Sequence, residues 1–144
     1  MKKSVIFVFT LLFIVVILVI VRYNNFQSRK KSLISFNKQY EDYNKDSING
    51  YDVVSIINNA ISNNEKYEIN KNDEGIYILD DEYSIEIYIT MIINNTTYPM
   101  EKINKLGMNQ FIMNFGNVEF KCTDIQYHKK TGRVKSMTFE PTEY

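Results

Sequence analysis

The sequence predicts an α+β fold: an N-terminal transmembrane helix and helical stalk, then a mainly antiparallel sheet packed with short helices. Three observations carry this reading. Residues 4–21, SVIFVFTLLFIVVILVIV, form an uncharged apolar run. The apolar period is helical before Tyr67 and becomes two from there onward. Residues 84–92 alternate cleanly, with Ile85, Ile87, Ile89 and Met91 on one side and Ser84, Glu86, Tyr88 and Thr90 on the other.

The apolar run sets the address. At ~1.5 Å rise per residue its eighteen residues reach about 27 Å, close to the ~30 Å of bilayer hydrocarbon. In lipid the backbone must satisfy its own hydrogen bonds, which selects a helix despite the many β-branched residues. The start MKKS looks like a secretory signal, but signal apolar cores span only ~7–15 residues. No small-x-small cleavage pattern follows, no Ala precedes Ala60, and no Cys follows the run as a lipoprotein signal requires. The expectation is an uncleaved single-pass anchor at residues 1–23, in the cell membrane. The Lys and Arg count, with Arg22, Arg29, Lys30 and Lys31 after the run, favours a cytoplasmic domain. The compact basic start, Lys2 and Lys3, favours an external one, so both sides stay open.

Charge narrows the partners. The 144 residues carry 17 Lys and Arg against 17 Asp and Glu. Removing Lys2, Lys3 and Arg22 leaves 14 basic against 17 acidic residues, a net of −3 beyond the anchor. A mildly acidic domain is poorly suited to a phosphate backbone, so no nucleic-acid partner is expected. Asn, Ile, Lys and Tyr are abundant in the manner of an AT-rich genome, which lowers their value as signals. Cys122 is the sole cysteine, so an intramolecular disulfide is impossible, and it is expected to be a small buried hydrophobe.

Residues 24–45 read as a helical stalk, with Phe26, Leu33, Phe36, Tyr40 and Tyr43 at helical spacing. Arg29, Lys30 and Lys31 are read as a solvated helix face in preference to a headgroup contact. The domain proper is expected over residues 46–144. Residues 47–50, Ser-Ile-Asn-Gly, signal a turn, and Asp52 is the expected N-cap of a second helix. That helix carries Val53, Ile57, Ala60 and Ile61 on one face and has a stop signal at Ser62-Asn63-Asn64. Short strands are expected at 67–69 and 76–79, a charged turn at 80–82, the alternating strand at 84–92 and a loop at 94–97. Pro99 suits the first turn of a helix through Met100, Ile103, Leu106, Phe111, Ile112 and Phe115, with Gly107 as a break. A hairpin follows, 118–127 and 133–140 around residues 128–132, and a phase slip near Thr123 marks a bulge. The tail, 141–144, is expected to fray.

Few residues offer chemistry. NKNDEGIYILDD places Asn70, Asn72 and Glu74 at positions 1, 3 and 5 of a calcium loop, Gly75 at 6 and Asp81 at 12. It lacks the first Asp and last Glu, and strand-like residues follow Gly75, so a tight turn with Gly75 at positive φ is the preferred reading. His128 is the sole histidine and is expected at an exposed turn. Cys122 and His128, six residues apart, would lie about 20 Å apart on a straight strand, too far for a nucleophile pair. Asp80, Asp81 and Glu82 read as a solvated turn, and the Gly residues form no phosphate-binding loop. Asn94 and Asn95 match a glycosylation acceptor pattern of low information. No catalytic, cofactor-binding or metal-ligating residue is therefore assigned, no cofactor or small-molecule ligand is expected, and the chain is read as non-enzymatic.

An N-terminal apolar helix continuing into a stalk and then a sheet resembles the plan of type IV pilins. The chain departs from the pilin processing motif, with no Gly before Gly50 and no acid before Glu41. The stretches NGYDVVSIINNAISNNEKY and YPMEKINKLGMNQFIMNFGNVEFKCTDIQYHKKTGRV, covering most of residues 49–140, resemble small single-pass membrane proteins of clostridia-like, low-GC Gram-positive bacteria. That resemblance implies a domain type and a membrane address, and transfers no site residues. The expected function is a single-pass membrane-anchored protein with a small non-catalytic interaction or structural domain. The alternative is a pilin-like or secretion-apparatus subunit. The expected partners are the lipid bilayer and other membrane or envelope proteins.

Overall fold

The computed structural model describes residues 2–44, 46–91 and 95–142, with side chains from Ile6 onward. Ile92 of the alternating strand, Asn94 of the acceptor pattern and residues 143–144 of the tail lie outside the described residues. The chain divides into two units, residues 1–35 and 36–144.

The first unit is helical. It holds most of α1, Lys2–Glu41. Every large apolar side chain from Ile6 to Val21 is exposed, and the Thr10 hydroxyl donates to the Ile6 carbonyl at 2.9 Å, so its polar group stays within the helix. The helical stretch Ile6–Asn44 is long and apolar enough to cross a membrane.

The second unit is an α+β domain. After the end of α1 and a 3-10 turn, Asp42–Asn44, come β1 (Ile48–Asn49), α2 (Gly50–Lys66), β2 (Glu86–Met91), β3 (Thr96–Pro99), α3 (Met100–Leu106), α4 (Met108–Phe115), β4 (Glu119–Tyr127) and β5 (Val134–Pro141). The strands form one mixed sheet in the order β1-β4-β5-β2-β3. Its pairings are antiparallel except β2 with β5, which run parallel with Ile87 opposite Met137 and Ile89 opposite Phe139. The core joins Ile85, Ile87, Ile89, Met137, Phe139 and Phe120 of the sheet region to Val53, Ile56, Ile57 and Ala60 of α2 and to Met100, Ile103 and Phe111 of the later helices.

Several local expectations hold. The helix after Pro99 breaks at Gly107, whose φ of 101° suits glycine. The register of β4 on β5 shifts between Cys122 and Asp124, the bulge that the phase slip implied. Cys122 is buried, and burial pushes its thiol pKa up.

Others are corrected. The N-cap of α2 is Asn49, not Asp52. The Asn49 side chain accepts from the Asp52 N–H at 3.0 Å, and the Asp52 carboxylate reaches back to the Asn49 N–H, a capping box with Asp at N3. The turn expected at 47–50 therefore contains a two-residue edge strand, and the loop expected at 94–97 contributes to β3. Residues 67–69 and 76–79 are not strands; a single bridge, Lys71 to Tyr77, is all the pairing there. The reason lies in Asn64. The helix does not stop at residues 62–64, because the Asn64 amide docks the next strand as a backbone would. Its Nδ2 donates to the Ile85 carbonyl at 2.7 Å and its Oδ1 accepts from the Ile85 N–H at 2.9 Å. With these bonds made, Asn64 stays helical and fully buried, and the turn falls at Tyr67 and Glu68, the latter at φ 53°.

Candidate functional site

A cleft of about 330 Å³ opens between the C-terminal half of α2, the 70–77 turn and α3. Glu65, Lys71, Tyr77, Glu101, Lys102 and Lys105 are among its lining residues. The turn that forms one wall is held by local bonds. Asn72 Oδ1 accepts from the N–H groups of Glu74 and Ile76, both at 3.0 Å, and the Gly75 N–H donates to the Asn72 carbonyl at 2.9 Å. Gly75 sits at φ 80°. The Asn72 oxygen that a calcium loop would turn onto a cation is thus committed to backbone. Among the described residues no three acid, His or Cys side chains gather as a metal site.

At the cleft lies a carboxyl pair, Glu86 and Glu101, of which sequence reasoning placed Glu86 on the outer side of its strand. Glu86 alternates with the isoleucines of β2 and reads as solvent-facing, yet its exposure is 0%. The opposite side of β2 is covered too, since Ser84 and Thr90 are also buried. The covering chain is the β3–α3 junction. Tyr88 pairs with Pro99 across the sheet, and the next residue, Met100, donates its N–H to Glu86 Oε1 at 3.0 Å. Glu101 then turns its Oε1 to the Tyr77 N–H at 2.8 Å. The two carboxyls lie close enough for the Glu101 charge to act on Glu86. Their remaining oxygens, both Oε2, are buried and meet no N–H or O–H donor among the described residues.

The electrostatics follow from that geometry. Burial first, and the neighbouring Glu101 charge second, push the Glu86 pKa up to about 9; the Met100 N–H opposes them. Burial, and after it the same two carboxyls, raises the Tyr88 phenol. Tyr77 is raised mainly by burial, against the Lys71 ammonium that lies 4.3 Å from its ring centroid.

The other residues singled out from sequence are engaged elsewhere. His128 is buried, not exposed: its Nε2 meets the Ser84 carbonyl at 2.7 Å, and its backbone closes the β4–β5 turn through Arg133 and Gly132. Cys122 Sγ donates to the Asp124 carbonyl at 3.3 Å across the bulge, so Cys122 and His128 have separate partners. Asp81 Oδ1 accepts from the Tyr83 N–H at 2.7 Å, and Glu82 pairs with Lys130. A second cluster was not legible in the sequence. The Arg133 guanidinium lies 3.6 Å from the Phe36 ring centroid, 5.0 Å from that of Tyr83 and 5.5 Å from that of Tyr67, while Tyr67 and Tyr83 stack at 4.5 Å. Arg133 thereby ties the last turns of α1 to the sheet.

Among protein-family models, curated proteins and solved structures, nothing matches this chain.

Proposed function

We propose that the chain is a single-pass membrane-anchored protein whose domain, residues 46–144, is a non-catalytic interaction or structural module. The observation that carries this reading is the uninterrupted exposure of apolar side chains from Ile6 to Val21 on a helix long enough to span a bilayer. In water each such side chain would forgo about 1.5–3 kcal/mol of burial, and a patch of this size marks a surface made for lipid or protein. The second unit has its own core, which takes in Tyr40 of α1.

The non-catalytic part of the proposal is supported by what the reactive side chains do. Cys122, His128 and Glu86 each hold backbone in place. The resemblance to small single-pass proteins of low-GC Gram-positive bacteria points the same way. The pilin-like or secretion-apparatus alternative draws on one feature, a 40-residue α1 that precedes a sheet domain.

Membrane fractionation followed by peptide mass spectrometry tests the anchor. Peptides from the first residues should remain with the alkali-washed membrane fraction. An N-terminus mapped to residues 22–30 would identify the run as a removed signal and overturn the proposal. Cross-linking in intact membranes before solubilisation tests the interaction role, which predicts a discrete adduct. Loss of pili or of a secreted protein on gene deletion would favour the alternative.

A further inference from the structure

We propose that Glu86 and Glu101 share one proton, and that this proton latches the 70–77 turn onto the start of α3, so that its loss frees the turn and opens the cleft.

The geometry leaves little choice. Two ionised carboxylates side by side in a buried setting repel each other, and desolvation penalises both charges. Among the described residues no cation acts on Glu86 at the pair. Of the charged groups around it, Lys71 of the turn sits over the Tyr77 ring, and Lys102 and Lys105 of α3 line the open cleft. Glu65 of α2 also lines the cleft and adds negative charge. The other titratable groups facing the pair are Tyr77 and Tyr88, whose phenols burial keeps protonated. On the β5 side, Ser136 and Thr138 lie opposite Glu86 and Tyr88 and do not titrate in this range. One proton between the two buried carboxyls converts repulsion into an O–H···O⁻ bond, among the stronger kinds of hydrogen bond.

The pair is also placed to act on structure. Its outer oxygens hold two backbone amides from different segments, Met100 at the start of α3 and Tyr77 in the cleft wall. The bond from the Tyr77 amide ties the turn to α3 through Glu101. When the shared proton leaves, the carboxylates must separate. Glu86 is enclosed in the sheet, whereas Glu101 lies at the cleft and can swing toward water, taking its bond to Tyr77 with it. The proton that leaves goes to the solvent.

The test uses the full-length protein in detergent micelles. Infrared difference spectra read the protonated carboxyl directly, and trypsin cleavage after Lys71, normalised to a denatured control at each pH, reads the latch. The native chain should show a carboxylic-acid carbonyl band at neutral pH that disappears above about pH 9, while cleavage after Lys71 rises several-fold over the same interval. Glu86→Gln should lack the band and keep Lys71 protected at alkaline pH. Its Oε1 can still accept from Met100, and its Nε2 donates to the Glu101 carboxylate without a titrating proton. Glu101→Gln should behave alike, so the test survives if one variant fails to fold. Absence of the band at neutral pH in the native chain overturns the proposal, as does a band that persists in both variants. Cleavage that is flat with pH overturns the latch. Loss of the band on adding calcium at neutral pH would show that the pair holds a cation, and overturns the shared proton.

Discussion

The amide of Gly50, the first residue of α2, donates to the carbonyl of Gly116 at 3.0 Å, so the start of α2 lies backbone to backbone against the end of α4. A Cβ built on Gly50 would run into the Phe115 carbonyl, which is backbone and cannot rotate away. Gly50→Ala is therefore expected to destabilise the protein despite alanine's better helix propensity. Propensity favours alanine by about 1 kcal/mol, whereas forcing the two helices apart should cost ~1–3 kcal/mol through overpacking. Chemical denaturation of the full chain in detergent, followed by near-ultraviolet circular dichroism, measures the difference. A rise in the midpoint would show that the two helix ends can separate freely.

The register of β2 gives the second prediction. Ile87 is fully buried and lies opposite Met137 of β5. Ile87→Ala should cost ~2–5 kcal/mol through lost burial and a residual cavity. Tyr88 is half-buried on the opposite side, so Tyr88→Ser should cost less. The same denaturation midpoints decide it, and the reverse order would contradict the assigned faces.

Arg133 supplies the third. Its guanidinium stacks on Phe36 and donates from Nη2 to Asn63 Oδ1 at 3.4 Å. A lysine keeps the charge but loses the planar face and the fork of donors. Arg133→Lys should therefore destabilise the domain by about 1–2 kcal/mol, and Arg133→Met, which keeps the bulk and loses the charge, should do so to a similar extent. Fluorescence of Tyr67 and Tyr83 would follow the loosening locally. An Arg133→Lys protein as stable as the native one would show that the charge alone matters.

What the sequence revealed and what it hid have physical reasons. Alternation identified Ile85, Ile87 and Ile89 as core because periodicity reports which side chains prefer to leave water. It could not report that Glu86 leaves water as well. That depends on Met100 and Glu101 folding back over the strand from β3, a tertiary event with no local trace. The break at Gly107 and the bulge after Cys122 were legible because each leaves a mark in spacing or residue type. Asn64 was misleading for a chemical reason. Asn in a run of polar residues signals a stop, but an amide offers one donor and one acceptor in the geometry of a peptide group, and here it pairs with Ile85 in that role. The Glu86–Glu101 pair combines both difficulties: a polar residue in a strand, and a partner supplied by the chain's return.

That pair gives the last prediction, a dependence of stability on pH opposite to the usual carboxylate pattern. A surface Asp or Glu paired with a cation has a lowered pKa and stabilises the fold as pH rises through the acid range. Glu86 is raised, to about 9, chiefly by burial. Its unfolded value is the ordinary one of about 4.3. Between those two values the folded state binds more protons than the unfolded state, so unfolding releases protons and stability must fall as pH increases. The contribution is fully present below the unfolded pKa and is lost as pH rises through the folded one. At its steepest, one proton of difference corresponds to about 1.4 kcal/mol per pH unit. Denaturation of the full chain in detergent at a series of pH values from mildly acidic to mildly alkaline should therefore show a steady decline. In Glu86→Gln the decline should flatten, because the glutamine has no proton to lose. Subtracting the two curves removes the contributions of the groups that both proteins share. A native chain that grows more stable from mildly acidic to mildly alkaline pH, or a variant that declines in parallel with it, would mean that Glu86 enters the fold already ionised.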